Sequence, residues 1–315
     1  MANLVLGTMT FGQQTFDEDA AAMLETALRN GIAEFDTAYV YNDGECERLL
    51  GRVLGNFDAT EYRIATKVNP RVTGKLDREA ILMQFRTSLE RLQMDAVDVL
   101  YLHFPDHLVS LEEMLSTCDE LYRAGKIKEL GVSNYPAGEV DRACEIAKAN
   151  GWVIPSVYEG LYNALNRKVE DGLFEVIRKH DMRFTAYNPL AGGLLTGKYH
   201  SIDETPADGR FVKRPGYKNR YWKESYFQAV DLLRTACEEA KVSMVEAAFR
   251  WLAYHSELSF EKGDAIIIGA SKPQQLVQNV AVVDNGPLPT QLAQAFEDAW
   301  IICMNDARDY YVYQN

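Results

Sequence analysis

The chain has 315 residues, 47% hydrophobic and 25% charged, enough for two domains of about 150 residues or one α/β barrel of about 250 with additions. No apolar run reaches the roughly 18 residues needed to cross a bilayer, and Met1-Ala2-Asn3-Leu4 lacks a signal layout, so a cytoplasmic protein with no membrane partner is expected. A net charge of −13 disfavours nucleic acid as a partner, and five cysteines without a Cys-x-x-Cys pair fit neither a disulfide framework nor a zinc knuckle.

β-branched runs alternate with segments of helical period, the pattern of a parallel sheet with crossover helices. Strands are predicted at Leu4–Leu6, Ile32–Phe35, Tyr62–Val68, Val97–Leu102, Ile127–Val132, Val153–Val157, Arg183–Tyr187 and Ala265–Ile268. Ala20, Leu24, Ala27 and Leu28 mark a helical face between the first two, stopped by Gly31. Further helical patterns cover Arg78–Leu92, Leu111–Arg123, Gly138–Asn150, Val169–Lys179, Tyr226–Ala240 and Met244–His255. Eight βα units without a low-complexity linker favour one (β/α)8 TIM barrel domain over residues 1–315, with a long loop after the seventh strand and a C-terminal helix.

One stretch runs against the acidic average. Residues 208–223 read DGRFVKRPGYKNRYWK, with Arg210, Lys213, Arg214, Lys218, Arg220 and Lys223 against Asp208, a local net of +5. It lies in the long connection from Asn188 to Tyr221 and reads either as an anion-attracting loop over the barrel mouth or as a solvated surface loop. The predicted strands end in polar or reactive residues: Asp36, Lys67, His103, Ser133-Asn134, Glu159, Tyr187 and Ser271. In a barrel of this kind the site lies at the C-terminal strand ends, so these side chains are expected to converge on one mouth.

Asp36, Tyr41, Lys67 and His103 follow three consecutive strands, and pointing four polar groups into one pocket is costly unless they act together. Together they make a proton-donating site. A nearby ammonium stabilises phenolate and is expected to lower the Tyr41 pKa from about 10. Asp36 would hold Lys67 charged, and His103 would donate to a carbonyl oxygen within reach of the Tyr41 hydroxyl. His103 and His107 have the spacing of a helical metal pair, but Pro105 lies between them and no metal is expected. Gly192 to Lys198 fits G-x-x-x-x-G-K, yet Tyr199 stands where a triphosphate site needs Ser or Thr; the glycines still let backbone amides approach a phosphate. Ser271 is read as the cap of a helix starting at Lys272 or Pro273, a position suited to an anion.

The runs FDTAYVYNDGECE, IATKVNP, DVLYLHFPDH, GVSNY, VYEGLYN, YNPLAGGLLTGKY and IIGAS occur in the order found in aldo-keto reductases, which the chain resembles over essentially its whole length. LYNALNR, GRF and NRYWKE point to the aflatoxin aldehyde reductase and succinic semialdehyde reductase subgroup. The resemblance implies reduction of a small-molecule carbonyl substrate, with Asp36, Tyr41, Lys67 and His103 as catalytic tetrad and Tyr41 as general acid. Tyr41 and His103 would also touch substrate, and Arg220 would meet a substrate carboxylate. No side chain supplies hydride, so NADPH/NADP+ is implied, although no G-x-G-x-x-G opens a βαβ unit.

The same resemblance assigns Asn188, Pro189, Leu190, Gly192 and Gly193 to the cofactor pyrophosphate loop, with Lys198 and Arg210 as nearby cations and Tyr187 stacked on the nicotinamide. Ser271, Lys272, Gln275 and Asn279 would hold the adenosine 2′-phosphate, with Gln275 standing where many relatives have Arg, and Gly269 would be a further cofactor contact. Ser133, Asn134 and Glu159 would hold the carboxamide, Glu159 replacing the usual Gln. An ionised Glu159 accepts but cannot donate, and is expected to weaken the reduced cofactor relative to the oxidised one. A homodimer is suggested by the subgroup alone. Two other readings stay open: a cofactor-binding sensor with slow turnover, and a lyase using Lys67 as a Schiff-base amine.

Overall fold

The computed structural model describes residues 2–204, 206–207, 209–214 and 216–311; Asp208, at the start of the basic run, lies outside them. Eight parallel strands close into a barrel in sequence order. They are β1 (Leu4–Gly7), β2 (Glu34–Asp36), β3 (Arg63–Val68), β4 (Val97–Leu102), β5 (Ile127–Ser133), β6 (Pro155–Leu161), β7 (Arg183–Tyr187) and β8 (Ala265–Ile268). Every residue of β4 is buried, as a strand covered on both faces requires. Pairing of Leu4 with Ile266 closes the ring, and Gly7 with Asp36, Lys67 with Tyr101 and Ser133 with Glu159 set the register around the mouth.

Helices wrap the outside, and several begin at caps legible in the sequence. Asp77, Ser110 and Ser243 accept from the backbone N–H of Ala80, Glu113 and Glu246, each such cap contributing about 1 kcal/mol. The main apolar core lies between barrel and helices, where Leu6, Leu100 and Leu130 meet Leu24, Leu50 and Leu115. Inside the barrel a small cluster of Ala65, Val99, Tyr101 and Val157 fills the middle. Nearer the N-terminal strand ends, Glu129 pairs with Arg63 and Arg183, and Glu34 lies 3.6 Å from Arg183. No helix among the described residues is long and apolar enough to cross a membrane.

Several element boundaries differ from expectation for identifiable reasons. β6 runs Pro155–Leu161 rather than Val153–Val157, because it continues through Glu159 and Gly160, which interrupt the apolar pattern. The predicted helix Val169–Lys179 is broken at Gly172 (φ 87°) into a turn Lys168–Glu170 and a helix Leu173–Lys179. The helix Glu45–Leu54 was not expected. The connection after β7 contains short helices Arg210–Lys213 and Gly216–Tyr221 rather than a plain loop. The C-terminal helix is Thr290–Cys303.

Candidate active site

A cavity of about 540 Å³ opens at the C-terminal strand ends, and every sequence-predicted site residue lines it except Lys67 and Lys272. Lys67 is fully buried behind the cavity floor, where its ammonium donates to Asp36 and to the Thr37 carbonyl at 2.9 Å. Glu159 Oε2 lies 3.0 Å from the same nitrogen, and the Glu159 carboxyl is also within hydrogen-bonding reach of Asp36. Burial pulls the Lys67 pKa down; its acidic neighbours, Asp36 first and then Glu159, more than offset this and hold it above the ordinary value.

Two buried carboxyls thus share one ammonium. Burial, then the negative charge of Asp36, pushes Glu159 well above the ordinary carboxyl range. Burial also raises Asp36, against the pull of Lys67 and of a hydrogen bond to Glu159. The cluster is electrically balanced when Asp36 is ionised and Glu159 holds a proton. This corrects the expectation of an ionised Glu159, which took no account of its burial beside another carboxylate.

Tyr41 follows β2 on the short turn Tyr41–Gly44, its ring edge-on to His103 with centroids 6.1 Å apart. Its pKa lies well above 10, raised first by burial and then by the negative charge carried by the Asp36–Glu159 pair. The net lowering expected from Lys67 is not the outcome, because burial and the negative charge nearby move the phenol the other way. Tyr41 is therefore a protonated phenol, suited to give a proton. His103 is kept neutral by burial and by the charges of Lys67 and Arg71, which push its pKa well below 6.5.

The rest of the wall is built from backbone turns. Asn188 (φ 66°) accepts from the Gly192 N–H at 2.7 Å, and Gly192 (φ 71°) and Gly193 (φ 102°) both take the left-handed conformation that glycine adopts cheaply. A Cβ on Gly193 would meet nothing within 4 Å, leaving room for a phosphate, and Lys198 and Arg210 stand on the same wall. Tyr187 donates to Asn134 Oδ1 at 2.8 Å, and Asn134 in turn donates to Ser133 Oγ at 2.9 Å. These residues fit a nicotinamide dinucleotide in chemistry: an aromatic face and amide groups at one end, glycines and cations at the other.

Ser271 is not the helix cap. The helix is Pro273–Val283 with Lys272 at its N-cap; Ser271 Oγ instead donates to Gln275 Oε1 at 3.0 Å. Lys272 pairs with Asp19 at 2.8 Å on an exposed rim. The basic run does face the mouth, through Arg210, Tyr217 and Arg220. Arg220 Nε is buried with no hydrogen-bond partner, and its guanidinium lies 5.2 Å from the Tyr217 ring centroid.

Sequence reasoning missed part of the wall. Gly7, Met9 and Thr10 line the cavity; Gly7 ends β1 and the other two follow it, so the strand-end rule would have found them. Tyr217 sat unremarked inside the basic run. Val245 and Phe249 come from the helix Met244–Tyr254, and nothing in their sequence context distinguishes them from core residues.

Comparison with known proteins decides the family: residues 3–301 match the Aldo/keto reductase family. The chain belongs to that family of oxidoreductases. It is 43% identical to mouse aflatoxin B1 aldehyde reductase member 2 over 98% of this chain and 87% of that protein. Human aflatoxin B1 aldehyde reductase member 4 is 42% identical, with 98% and 96% covered. Among solved structures, a glycerol dehydrogenase from Gluconobacter oxydans superposes with a TM-score of 0.74 at 25% identity, covering 94% of this chain and 90% of that one.

Proposed function

We propose that this aldo-keto reductase reduces aldehydes, carboxylate-bearing ones included, with NADPH as cofactor. The observation that carries the reading is the pairing of a protonated, half-buried Tyr41 phenol with a neutral, buried His103 on one cavity wall. In this reading His103 donates a hydrogen bond to the carbonyl oxygen, and Tyr41 protonates that oxygen as it becomes an alkoxide. Lys67 holds Asp36 and Glu159 in place, and as a paired, charged amine it is unsuited to Schiff-base attack.

When bound, the cofactor supplies the hydride. Ser133, Asn134, Glu159 and Tyr187 would hold its nicotinamide end; Asn188, Pro189, Leu190, Gly192, Gly193, Lys198 and Arg210 its pyrophosphate. Gly269, Ser271, Lys272, Gln275 and Asn279 would receive the adenosine end, where Lys272 favours a 2′-phosphate. Supporting a carboxylate on the substrate is Arg220, whose unpartnered Nε faces phenols rather than acids. All five cysteines are free and buried, which suits the reducing cytoplasm.

Steady-state NADPH oxidation with a panel of aldehydes tests the reading, and also separates an enzyme from a slow sensor. Tyr41→Phe is expected to lose turnover while binding cofactor nearly as wild type does. Turnover retained in that variant overturns the assignment.

A further inference from the structure

His103 has a buried neighbour that the sequence reading did not single out. Asn69, two residues beyond Lys67, is 3% exposed, and its amide nitrogen lies 3.3 Å from His103 Nδ1. The other end of the amide fixes which way it points. Oδ1 accepts from the Arg71 backbone N–H at 2.9 Å, as the N-cap of the short helix Pro70–Thr73. A backbone N–H can only donate, so the oxygen faces Arg71 and the NH2 faces the imidazole.

Gln84 locks this arrangement from behind. Its Oε1 accepts from the Asn69 N–H at 2.9 Å, and its Nε2 donates to the Asn69 carbonyl at 3.1 Å and to Thr73 Oγ1 at 3.2 Å. His103 is held as firmly: its N–H donates to the Val68 carbonyl at 3.0 Å and its carbonyl accepts from Asn134 Nδ2 at 2.9 Å. Its ring stacks on Phe104 with centroids 4.7 Å apart.

A neutral imidazole carries one N–H and one lone pair. A donor placed at Nδ1 makes that nitrogen the acceptor and leaves the proton on Nε2. We infer that Asn69, braced by Gln84, is a positioning residue that selects the Nε2–H tautomer of His103, the form able to donate to a carbonyl oxygen. Its value to catalysis rests on the proposed role of His103; the tautomer does not.

Long-range 1H–15N spectra of the labelled full-length protein read the tautomer directly, with His103→Asn identifying the signal. Wild type is expected to show Nε2–H. In Asn69→Asp the carboxylate keeps the cap but can only accept, so the single proton of the neutral ring moves from Nε2 to Nδ1 and the imidazole no longer donates toward the substrate. Turnover of a neutral aldehyde then falls roughly a hundredfold, the scale of losing one oriented donor, with cofactor affinity unchanged. Asn69→Ser guards against misfolding of the first variant: it keeps a cap acceptor, withdraws the donor from Nδ1 because the shorter side chain no longer reaches it, and is expected to give mixed tautomers with a smaller loss. An Nε2–H signal unchanged in both variants overturns the inference, as does a shifted tautomer with full turnover. Should no variant or wild type reduce any carbonyl, the functional reading fails, while the spectra still decide the tautomer.

Discussion

Glu159 Oε2 and Lys67 Nζ lie 3.0 Å apart, with neither side chain more than 4% exposed. Asp36 already engages the same ammonium, so Glu159 is a second buried acid with no counter-charge of its own. Its raised pKa makes it a liability to folding above the pH at which the unfolded chain ionises. In the native state it keeps its proton, whereas in the unfolded chain it titrates near the ordinary value of 4.5. Between those points the unfolded state binds fewer protons, so stability falls as pH rises, by at most about 1.4 kcal/mol per pH unit for one group. Urea unfolding of wild type and Glu159→Gln at pH 5 and pH 8 is expected to show the variant gaining relative stability with pH. Parallel curves would sink the assignment of a neutral Glu159.

The same protonation changes what Glu159 offers a ligand. As a neutral acid it both donates and accepts, much as the amide of a glutamine does; as a carboxylate it only accepts, and it attracts positive charge. Discrimination between reduced and oxidised nicotinamide is therefore expected to appear as pH rises and the carboxyl ionises. Equilibrium titrations of both cofactor forms across pH should show wild type losing affinity for the reduced form relative to the oxidised one. In Glu159→Gln the ratio should stay flat; a pH-dependent ratio of equal size in that variant refutes the idea.

Arg220 lines the same mouth with a buried, unpartnered Nε. Charge-assisted hydrogen bonds contribute about 1.5–3 kcal/mol, so Arg220→Ala is expected to raise KM for a carboxylate-bearing aldehyde roughly tenfold or more. A neutral aldehyde of similar size should be little affected. Equal effects on the two substrates would assign Arg220 to scaffolding rather than to recognition.

What was legible in the sequence followed burial. β4, with all six residues buried, and β8, with all four, read true because a strand covered on both faces is a near-continuous apolar run. The strand-end rule placed Asp36, His103, Ser133, Asn134, Glu159, Tyr187 and Ser271 on the cavity wall, since it needs only the strands and the barrel closure. Protonation states were not legible. Whether Lys67 lowers the Tyr41 pKa depends on what else Lys67 touches, and Glu159 reaches it from three strands away. Asn69 escaped notice because an Asn before Pro70 reads as turn chemistry, and Gln84 meets it only after the chain has turned back through a helix.

The helix Glu45–Leu54 was hidden by Gly51, which in an isolated pattern reads as a breaker. The structure explains the glycine by what crosses it. A Cβ there would lie 2.3 Å from the Arg91 carbonyl oxygen and 2.9 Å from the Leu92 carbonyl carbon, both backbone atoms at the end of the helix Arg78–Leu92. Side-chain rotation cannot relieve such a contact, so the two helices must separate. Gly51→Ala is expected to cost roughly 1–3 kcal/mol, the usual penalty of overpacking. The displacement also reaches the site, because Arg91 donates to the Tyr39 carbonyl at 3.0 Å and pairs with buried Glu47 at 3.1 Å, bracing the turn that carries Tyr41. Gly55→Ala, at the end of the same helix with φ −59° and nothing within 4 Å of the new Cβ, provides the control and should be neutral or stabilising by about 0.4–1 kcal/mol. Urea unfolding and turnover measured on both variants decide the matter: if Gly51→Ala matches Gly55→Ala in stability, the close helix crossing is not what holds this turn in place.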